Sequence, residues 1–366
     1  MLKKIDWYIL KSFLVSFIFT LFLVLLITGV VDTSEKTDDF SKSQLSFWAI
    51  ITDYFSGFIP SIGAMVFPLI VLITVIWCTS VLANRTEIVA LFASGMSLKR
   101  FLRPYWVGGI ILATGLFFAN GWGVPKAVRK MTTFRAKYID PNSGGEKHYY
   151  DHINHYFKIG KNSYAGILSY DTATKTSYNF FVGTFDSANK QMVTNFRSDL
   201  IKWDTAKNTW HLDNTLLRVL QLKGEENSFT PTLDSLFNFK PNNLLTDEYT
   251  KQKLTNPQLQ ELINQEKLRQ SEQVKDLELE KHKRISGALA VIVLTLIGAI
   301  IASKKIRGGS GMHLVKGLVI GALLILLDRF SSVFAIKGNL PPMAAAYIPT
   351  IIFSFYAYFL YLRAPK

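Results

Sequence analysis

The hydrophobic residues of this chain are concentrated in six long blocks, which polar segments of very different length separate. As a helix, each block is long enough to cross about 30 Å of hydrocarbon, although the fourth needs part of its polar flank to do so. Hydrophobic residues make up 49% of the 366 residues, too many for an ordinary soluble protein. The pattern therefore predicts an α-helical membrane protein with six transmembrane helices in a three-plus-three arrangement. The blocks are residues 8–31, 57–82, 101–122, 287–303, 314–333 and 343–362.

A short amphipathic segment lies between the second and third blocks. Ile88, Leu91 and Phe92 recur at helical spacing, Thr86 can cap the start of a helix, and Gly95 stands where a helix would stop. Because apolar blocks flank it closely on both sides, this helix, at about residues 86–95, is expected at a membrane surface. Such a helix suits passive anchoring and the docking of another protein equally well.

A long polar region, residues 123–284, separates the third block from the fourth. Strand-like runs alternate with turn-forming clusters here, as is typical of antiparallel hairpins, so we expect an inserted all-β domain, a β-sandwich or jelly roll. Asn256 and Pro257 can start a charged helix that continues as a rigid rod to Arg284 and into the fourth block. The strand-like runs are 156–159, 165–170, 179–185, 191–196, 200–203 and 215–222. The expected domains are 1–122 (three spans), 123–255 (β-domain), 256–284 (connecting helix) and 285–366 (three spans).

The formal net charge of +14 comes from basic residues that crowd the ends of the apolar blocks. They form no single stripe, which argues against a nucleic-acid-binding role. Positive charge marks the cytoplasmic side of membrane proteins, so both chain ends are expected in the cytoplasm and the β-domain on the opposite side. The basic residues of the cytoplasmic side are Lys3, Lys4, Lys11, Arg85, Lys99, Arg100, Arg103, Lys304, Lys305, Arg307, Lys316, Arg363 and Lys366.

Catalytic chemistry has little support in the sequence. There is no phosphate-binding loop for ATP and no local nucleophile signature, so a non-catalytic protein without a cofactor is expected. His148, His152 and His155 are close in sequence but lie in an extended stretch, and we interpret them as surface residues rather than metal ligands. Asp328 and Arg329, near the end of the fifth block, are interpreted as an interfacial ion pair.

Further basic residues flank the spans on the non-cytoplasmic side, where positive charge is disfavoured. Two interpretations stay open: the residues anchor the helices to phospholipid head groups, or they hold the phosphates of an anionic lipid substrate. The candidate lipid-binding residues are Lys36, Lys42, Lys126, Arg129, Lys130, Arg135, Lys137 and Arg284.

Three local patterns stand out along the chain. They are residues 6–14 (DWYILKSFL), residues 87–97 (EIVALFASGMS), and Gly298 followed by residues 306–311 (IRGGSG) and 340–342 (LPP). These patterns resemble the LptF/LptG permease subunits of the lipopolysaccharide exporter. Together with the three-plus-three arrangement they cover the whole chain, and its start resembles the LptG type slightly more.

The resemblance implies a subunit of an ATP-driven machine that extracts lipopolysaccharide from the inner membrane of a Gram-negative bacterium. The implied partners are a cytoplasmic ATPase dimer of the LptB type, a second permease subunit, a single-span regulator and a periplasmic bridge of similar β-domains. The helix at 86–95 would then be the coupling helix that sits in a groove of the ATPase, with Glu87 in an ion pair. The implied coupling residues are Glu87, Ile88, Leu91, Phe92, Ser94 and Gly95.

A different class of function is also compatible with the pattern. The chain would then be a non-transport membrane protein whose periplasmic β-domain binds an envelope ligand and whose short helix recruits a regulator. A copurifying ATPase distinguishes the two hypotheses.

Overall fold

The structure is a computed structural model that combines a bundle of long helices with one antiparallel sheet. It describes residues 3–42, 45–139, 149–150, 155–160, 162–171, 174–186, 191–205, 207–221, 224–235, 237, 239, 241, 251–268, 273–304 and 309–364. The helices are α1 (Lys4–Glu35), α2 (Thr37–Lys42), α3 (Phe47–Ala49), α4 (Ser56–Asn84), α5 (Glu87–Ala93), α6 (Leu98–Phe101), α7 (Arg103–Phe118), α8 (Val124–Phe134), α9 (Asn256–Leu268), α10 (Val274–Ala302), α11 (Gly309–Lys337) and α12 (Pro342–Arg363). π-Helical turns at Ile50–Phe55, Ala119–Gly123 and Arg135–Ile139 lead into or continue the neighbouring helices.

Six helices within the described residues are long and apolar enough to cross a membrane, which confirms the six-span prediction. Their bounds are Lys4–Glu35, Phe47–Asn84, Leu98–Ile139, Val274–Ala302, Ser310–Lys337 and Pro342–Arg363. Several hydroxyl groups within these spans are satisfied by a carbonyl oxygen of their own helix, which avoids an unpaired polar group in hydrocarbon. The Thr28 hydroxyl donates to the Val24 carbonyl oxygen at 2.8 Å, and that of Thr295 to the Val291 carbonyl oxygen at 2.7 Å.

Successive spans run in opposite directions, so the bundle has two ends. At the first, which we call the α5 end, α4 finishes and α11 begins: Asn84 Nδ2 donates to Ser310 Oγ at 2.7 Å. At the second, the α8 end, α10 enters the bundle and α11 approaches its last turns, where Lys283 Nζ lies 2.6 Å from Asp328 Oδ2.

Helix α10 lies at the centre of the bundle and packs against α4, α7 and α12. In its most apolar stretch 61% of the residues are buried, against 6% in α1. A Cβ on Gly298 would lie 3.1 Å from Cγ1 of Val75, so the absent side chain is what allows α10 and α4 to approach closely. Helix α1 therefore leaves most of its apolar surface uncovered by the described part of the chain.

The strands form one antiparallel sheet in the middle of the chain, which confirms an inserted all-β domain. They are β1 (Tyr149–Tyr150), β2 (His155–Lys158), β3 (Ser163–Ile167), β4 (Ser169–Asp171), β5 (Thr176–Phe185), β6 (Met192–Asp204), β7 (Thr209–Gln221) and β8 (Gly224–Ser235). The order is β1-β4-β5-β6-β7-β8, with β3 also paired to β5 and β2 to β3. Neighbouring strands are therefore mostly consecutive in sequence, as in a meander.

The strand predictions were wrong in three details. The run 165–170 is divided between β3 and β4. The runs 191–196 and 200–203 belong to the single strand β6, because its ladder with β7 continues through Ser198. Strand β8 was missed because it is largely polar and contains Pro231, features that belong to an edge strand.

An aromatic cluster forms the core of the β-domain. Trp210 is fully buried, and its indole Nε1 donates to the carbonyl oxygen of Phe239 at 2.9 Å, so the buried polar atom is satisfied. Tyr170, 2% exposed, belongs to the same cluster. Burial, assisted by the negative charge of Asp171, raises the pKa of Tyr170 to about 12.

The expected rigid rod at 256–284 is wrong. Helix α9 ends at Leu268 and α10 begins at Val274. The two helices fold back on each other, since Leu259 and Ile263 of α9 pack against Leu277 of α10. This connection is a helical hairpin, which buries apolar side chains that a straight rod would leave exposed.

Candidate coupling helix and basic lipid-facing residues

The amphipathic segment is the helix α5, and its apolar face is turned into the chain's own bundle. Ile88 is 1% exposed and belongs to the core cluster that contains Phe101. The rings of Phe92 and Phe101 are 5.5 Å apart in an edge-to-face arrangement, and Leu91 is half-buried. These apolar residues therefore anchor the helix to its own chain.

An aromatic ladder runs from α5 into the bundle. After Phe92 and Phe101, the ring of Tyr105 on α7 lies 5.4 Å from Phe101, and the ring of Phe13 on α1 lies 6.1 Å from Tyr105. The Tyr105 hydroxyl accepts a hydrogen bond from Thr79 Oγ1 at 2.8 Å, which ties the ladder to α4. The short helix is thus connected to three spans through buried side chains.

The two ends of α5 are capped differently. Thr86 precedes the helix with φ of 62°, and its hydroxyl donates to the Arg85 carbonyl oxygen, so the expected side-chain cap is wrong. Gly95 ends the helix as expected, with φ of 84°. The amide of Met96 donates to the Leu91 carbonyl oxygen at 3.2 Å and that of Gly95 to the Phe92 carbonyl oxygen at 3.0 Å, which is a Schellman motif.

The outward face of α5 is small and apolar, with one acid beside it. Val89 is 48% exposed, and Ala90, Ala93 and Ser94 are exposed as well. Glu87 lies 4.0 Å from Arg85, and both side chains reach solvent. Sequence reasoning missed Val89, Ala90 and Ala93, although they occupy the helix face opposite the apolar spacing that it identified.

At the α8 end, Lys36 is held by its own chain. Its ammonium group forms an ion pair with Asp32, donates to the Tyr54 hydroxyl, and lies 5.0 Å from the centre of the Tyr54 ring. Phe58 adds a second ring at 5.4 Å. Because Asp32 is only 7% exposed, Lys36 compensates a buried charge rather than projecting freely.

The other basic candidates lie on and just after α8. A cavity of about 460 Å³ here is lined by Lys126, Arg129, Lys130 and Lys137, together with Asp53 and Phe134. Arg129 donates to the Lys253 carbonyl oxygen at 3.1 Å, and Lys130 forms an ion pair with Asp53 at 3.2 Å. Within the described residues, the exposed Lys126 forms no such contact and remains open to an anion. Lys137 lines the same cavity, and Arg135 is half-buried beside it.

Arg284 has a structural role. Its side chain is 5% exposed, and its guanidinium group donates to Asn256 Oδ1 at 2.8 Å and to the carbonyl oxygens of Lys251 at 3.0 Å and Leu254 at 2.9 Å. Glu280 lies 3.3 Å from Nε. Arg284 therefore fastens the turn before α9 onto α10, and its donors are engaged by protein acceptors rather than open to a lipid phosphate.

Some sequence candidates fall outside what the structure describes. The side chains of Lys42 and His155 are outside the described residues, and so are His148 and His152 entirely. Asp328 does not pair with its neighbour Arg329 as expected but with Lys283 of α10, since adjacent residues of a helix point in different directions. That ion pair lines a cavity of about 380 Å³ between α4, α7, α10, α11 and α12.

The whole chain was compared with known protein families. The model described as lipopolysaccharide export system permease LptF/LptG matches residues 7–363, essentially the full length. No curated protein matches the chain. The six apolar helices, the sheet between the third and fourth of them, and this match agree with one another: the chain is an integral membrane protein of the LptF/LptG family of lipopolysaccharide export permeases.

Proposed function

We propose that this chain is the membrane subunit through which an ATPase of the LptB type drives lipopolysaccharide out of the inner membrane. Members of the family are permeases of the lipopolysaccharide export system, and they work with that ATPase and with a second permease subunit. The chain itself would bind no nucleotide. It would receive the work of ATP hydrolysis through α5 and change the lipid environment at the α8 end.

The arrangement of α5 supports this most directly. A helix of two turns is fixed to the bundle by Ile88 and Phe92, while Val89 and Ala93 form a small outward face suited to a shallow groove. Glu87 stands beside that face among basic residues, where it can pair with a cation of the ATPase. A passive anchor would instead present its large apolar residues to the membrane.

The orientation follows from charge. Basic residues dominate the α5 end, so this end would be cytoplasmic and the β-domain periplasmic. The largely exposed apolar surface of α1 would be covered by lipid substrate or by the second permease subunit. The edge strand β8 would pass lipid to the periplasmic bridge, and a single-span regulator would act on the same path.

The anionic groups of lipopolysaccharide would be attracted to the basic residues of α8. Lys126 is the residue we favour for a direct phosphate contact, because the other cations there already have protein acceptors or rings. Lys36 would support the site from behind by fixing the end of α1.

The test is copurification of the ATPase with the assembled permease pair in detergent. Glu87→Arg and Val89→Arg are each expected to reduce the recovered ATPase by about tenfold, since each places a cation at the interface. Glu261→Arg on the exposed face of α9 is the matched control and should leave recovery unchanged. Full recovery and full ATP turnover with Glu87→Arg would reject α5 as the coupling element. An ATPase that never copurifies with the unmodified chain would favour the non-transport alternative.

A further inference from the structure

A groove opens between α10, α11 and α12 at the α5 end of the bundle, far from the basic residues of α8. Its volume is about 760 Å³, within the range of small-molecule binding sites. The walls are mainly aliphatic and aromatic, with Val319 and Leu323 from α11 and Phe359 from α12. Val319 is 54% exposed and Leu323 is 52% exposed, so apolar surface is open to whatever enters.

Three cations stand along this groove: one just after the end of α10, one on α11 and one on α12. They are Lys304, Lys316 and Arg363. All three are exposed, and within the described part of the chain none of them forms an ion pair. Among the residues that the structure describes, no acidic side chain lines the groove. The site therefore combines an apolar slot with uncompensated positive charge.

Protein contacts fix the backbone at Lys304 and the side chain of Arg363. The carbonyl oxygen of Lys304 can only accept, and His313 Nε2 lies 2.9 Å from it, so that nitrogen carries the hydrogen. His313 is 2% exposed, and its bond links the end of α10 to the start of α11. The guanidinium carbon of Arg363 lies 4.2 Å from the centre of the Phe359 ring, which fixes the third cation over the apolar wall.

We propose that this groove binds an anionic glycerophospholipid of the adjacent leaflet. The phosphate would lie among the three cations, and an acyl chain would run along Val319 and Leu323. Cations at helix ends are common on the cytoplasmic side of membrane proteins, but Lys11, Lys99 and Arg103 at the same end line no part of this groove. Among these six cations, only the three of the groove lie beside the open apolar slot. Such a site suits a ligand that has both an anionic group and an apolar chain. This lipid site is separate from the substrate region at the α8 end.

The experiment measures lipid retention by native mass spectrometry of the full chain in detergent. Phosphatidylglycerol and phosphatidylcholine with the same acyl chains are added separately. The variant with Lys304→Gln, Lys316→Gln and Arg363→Gln should lose phosphatidylglycerol binding by about fivefold for each cation, the contribution of one basic residue near an anionic membrane. The control variant with Lys11→Gln, Lys99→Gln and Arg103→Gln should keep its phosphatidylglycerol binding.

A second variant tests the apolar half of the site. Val319→Trp fills the slot and should lower phosphatidylglycerol retention while the three cations remain, and Leu323→Trp repeats the test at another wall position. Glycerol phosphate, which has no acyl chains, should not displace the bound lipid. Gel filtration of each variant verifies that the chain remains folded.

Several results would overturn the proposal. Equal retention of the two lipids, or equal losses in the groove variant and its control, would mean that no specific anion site exists. Unchanged retention in both tryptophan variants, or displacement by glycerol phosphate, would indicate a phosphate site without lipid. Loss of the lipid when the second permease subunit assembles would identify the groove as a protein interface.

Discussion

The guanidinium group of Arg284 on α10 donates a hydrogen bond to Oδ1 of Asn256, the first residue of α9, over 2.8 Å. The same group satisfies the carbonyl oxygens of Lys251 and Leu254, so one buried side chain closes the turn between the β-domain and the membrane. This contact converts a stretch that the sequence suggests is a straight helix into a hairpin.

Replacing Arg284 should therefore loosen the hairpin. Arg284→Met leaves the buried carbonyl oxygens and Glu280 without their hydrogen-bond donor. The free energy of unfolding should fall by about 3 kcal/mol. Limited proteolysis of the full chain in detergent should then show faster cleavage between residues 251 and 274. Lys281→Met, which removes only an exposed bond to Gln260, is the matched control. Equal cleavage rates in the two variants would contradict the role assigned to Arg284.

The pair Asp32 and Lys36 should behave as a coupled unit. Lys36→Met leaves the buried Asp32 carboxylate uncompensated and should destabilise the α8 end by about 3 kcal/mol. Asp32→Asn in the same chain should restore most of that loss, because the charge has gone. Thermal unfolding of the unmodified chain, the two single variants and the double variant measures the coupling energy between Asp32 and Lys36. Strictly additive effects would show that the ion pair carries little energy.

Gly298 and Gly287 on α10 offer a matched test of helix packing. A methyl group at Gly298 would press on Val75 and Ile76. Gly298→Ala should therefore lower the stability of the fold by about 1–3 kcal/mol through overpacking. A Cβ at Gly287 meets nothing within 4 Å. Gly287→Ala should therefore be neutral or stabilise by up to about 1 kcal/mol through helix propensity. Thermal unfolding in detergent measures the stability of the two variants. A similar loss of stability in both would refute close packing at Gly298.

Tyr170 should make the β-domain sensitive to alkaline pH. Its pKa rises from 10.0 in the unfolded chain to about 12 in the fold, so below pH 10 both states keep the proton and stability does not change. Between pH 10 and 12 only the unfolded state loses the proton, and stability falls as pH rises. Tyr170→Phe should remove this component, while Tyr178→Phe, an exposed ring, should not. Denaturant titrations of the full chain at pH 9 to 11 measure the slopes, and equal slopes in the unmodified chain and Tyr170→Phe would exclude the effect.

The six spans could be predicted from the sequence because a helix that crosses hydrocarbon needs a long and predominantly apolar stretch. The hairpin at α9 and α10 could not, since residues 269–273 are ordinary helix formers and the break depends on Leu277 meeting Leu259 and on Arg284 reaching Asn256. Strand β8 was hidden for a related reason: an edge strand needs partners on one side only and tolerates polar residues and proline.

The sites were predicted less completely than the fold. Helical spacing located α5, but an amphipathic pattern does not say whether its apolar face meets a partner or the chain itself, and Ile88 turned out to face the core. Basic residues near the α8 end were identified as a group. Which of them are already neutralised depends on distant acids such as Asp53, which only the folded chain brings near.

The aromatic ladder has a mechanical consequence. Packed rings resist compression, so Phe92 cannot shift far without displacing Phe101, Tyr105 and finally Phe13. We therefore expect the two-turn helix and the first span to move together as a stiff linkage rather than as a flexible tether. A small tilt imposed at the α5 end would be carried along α1, and the sparsely buried surface of that span would turn with it.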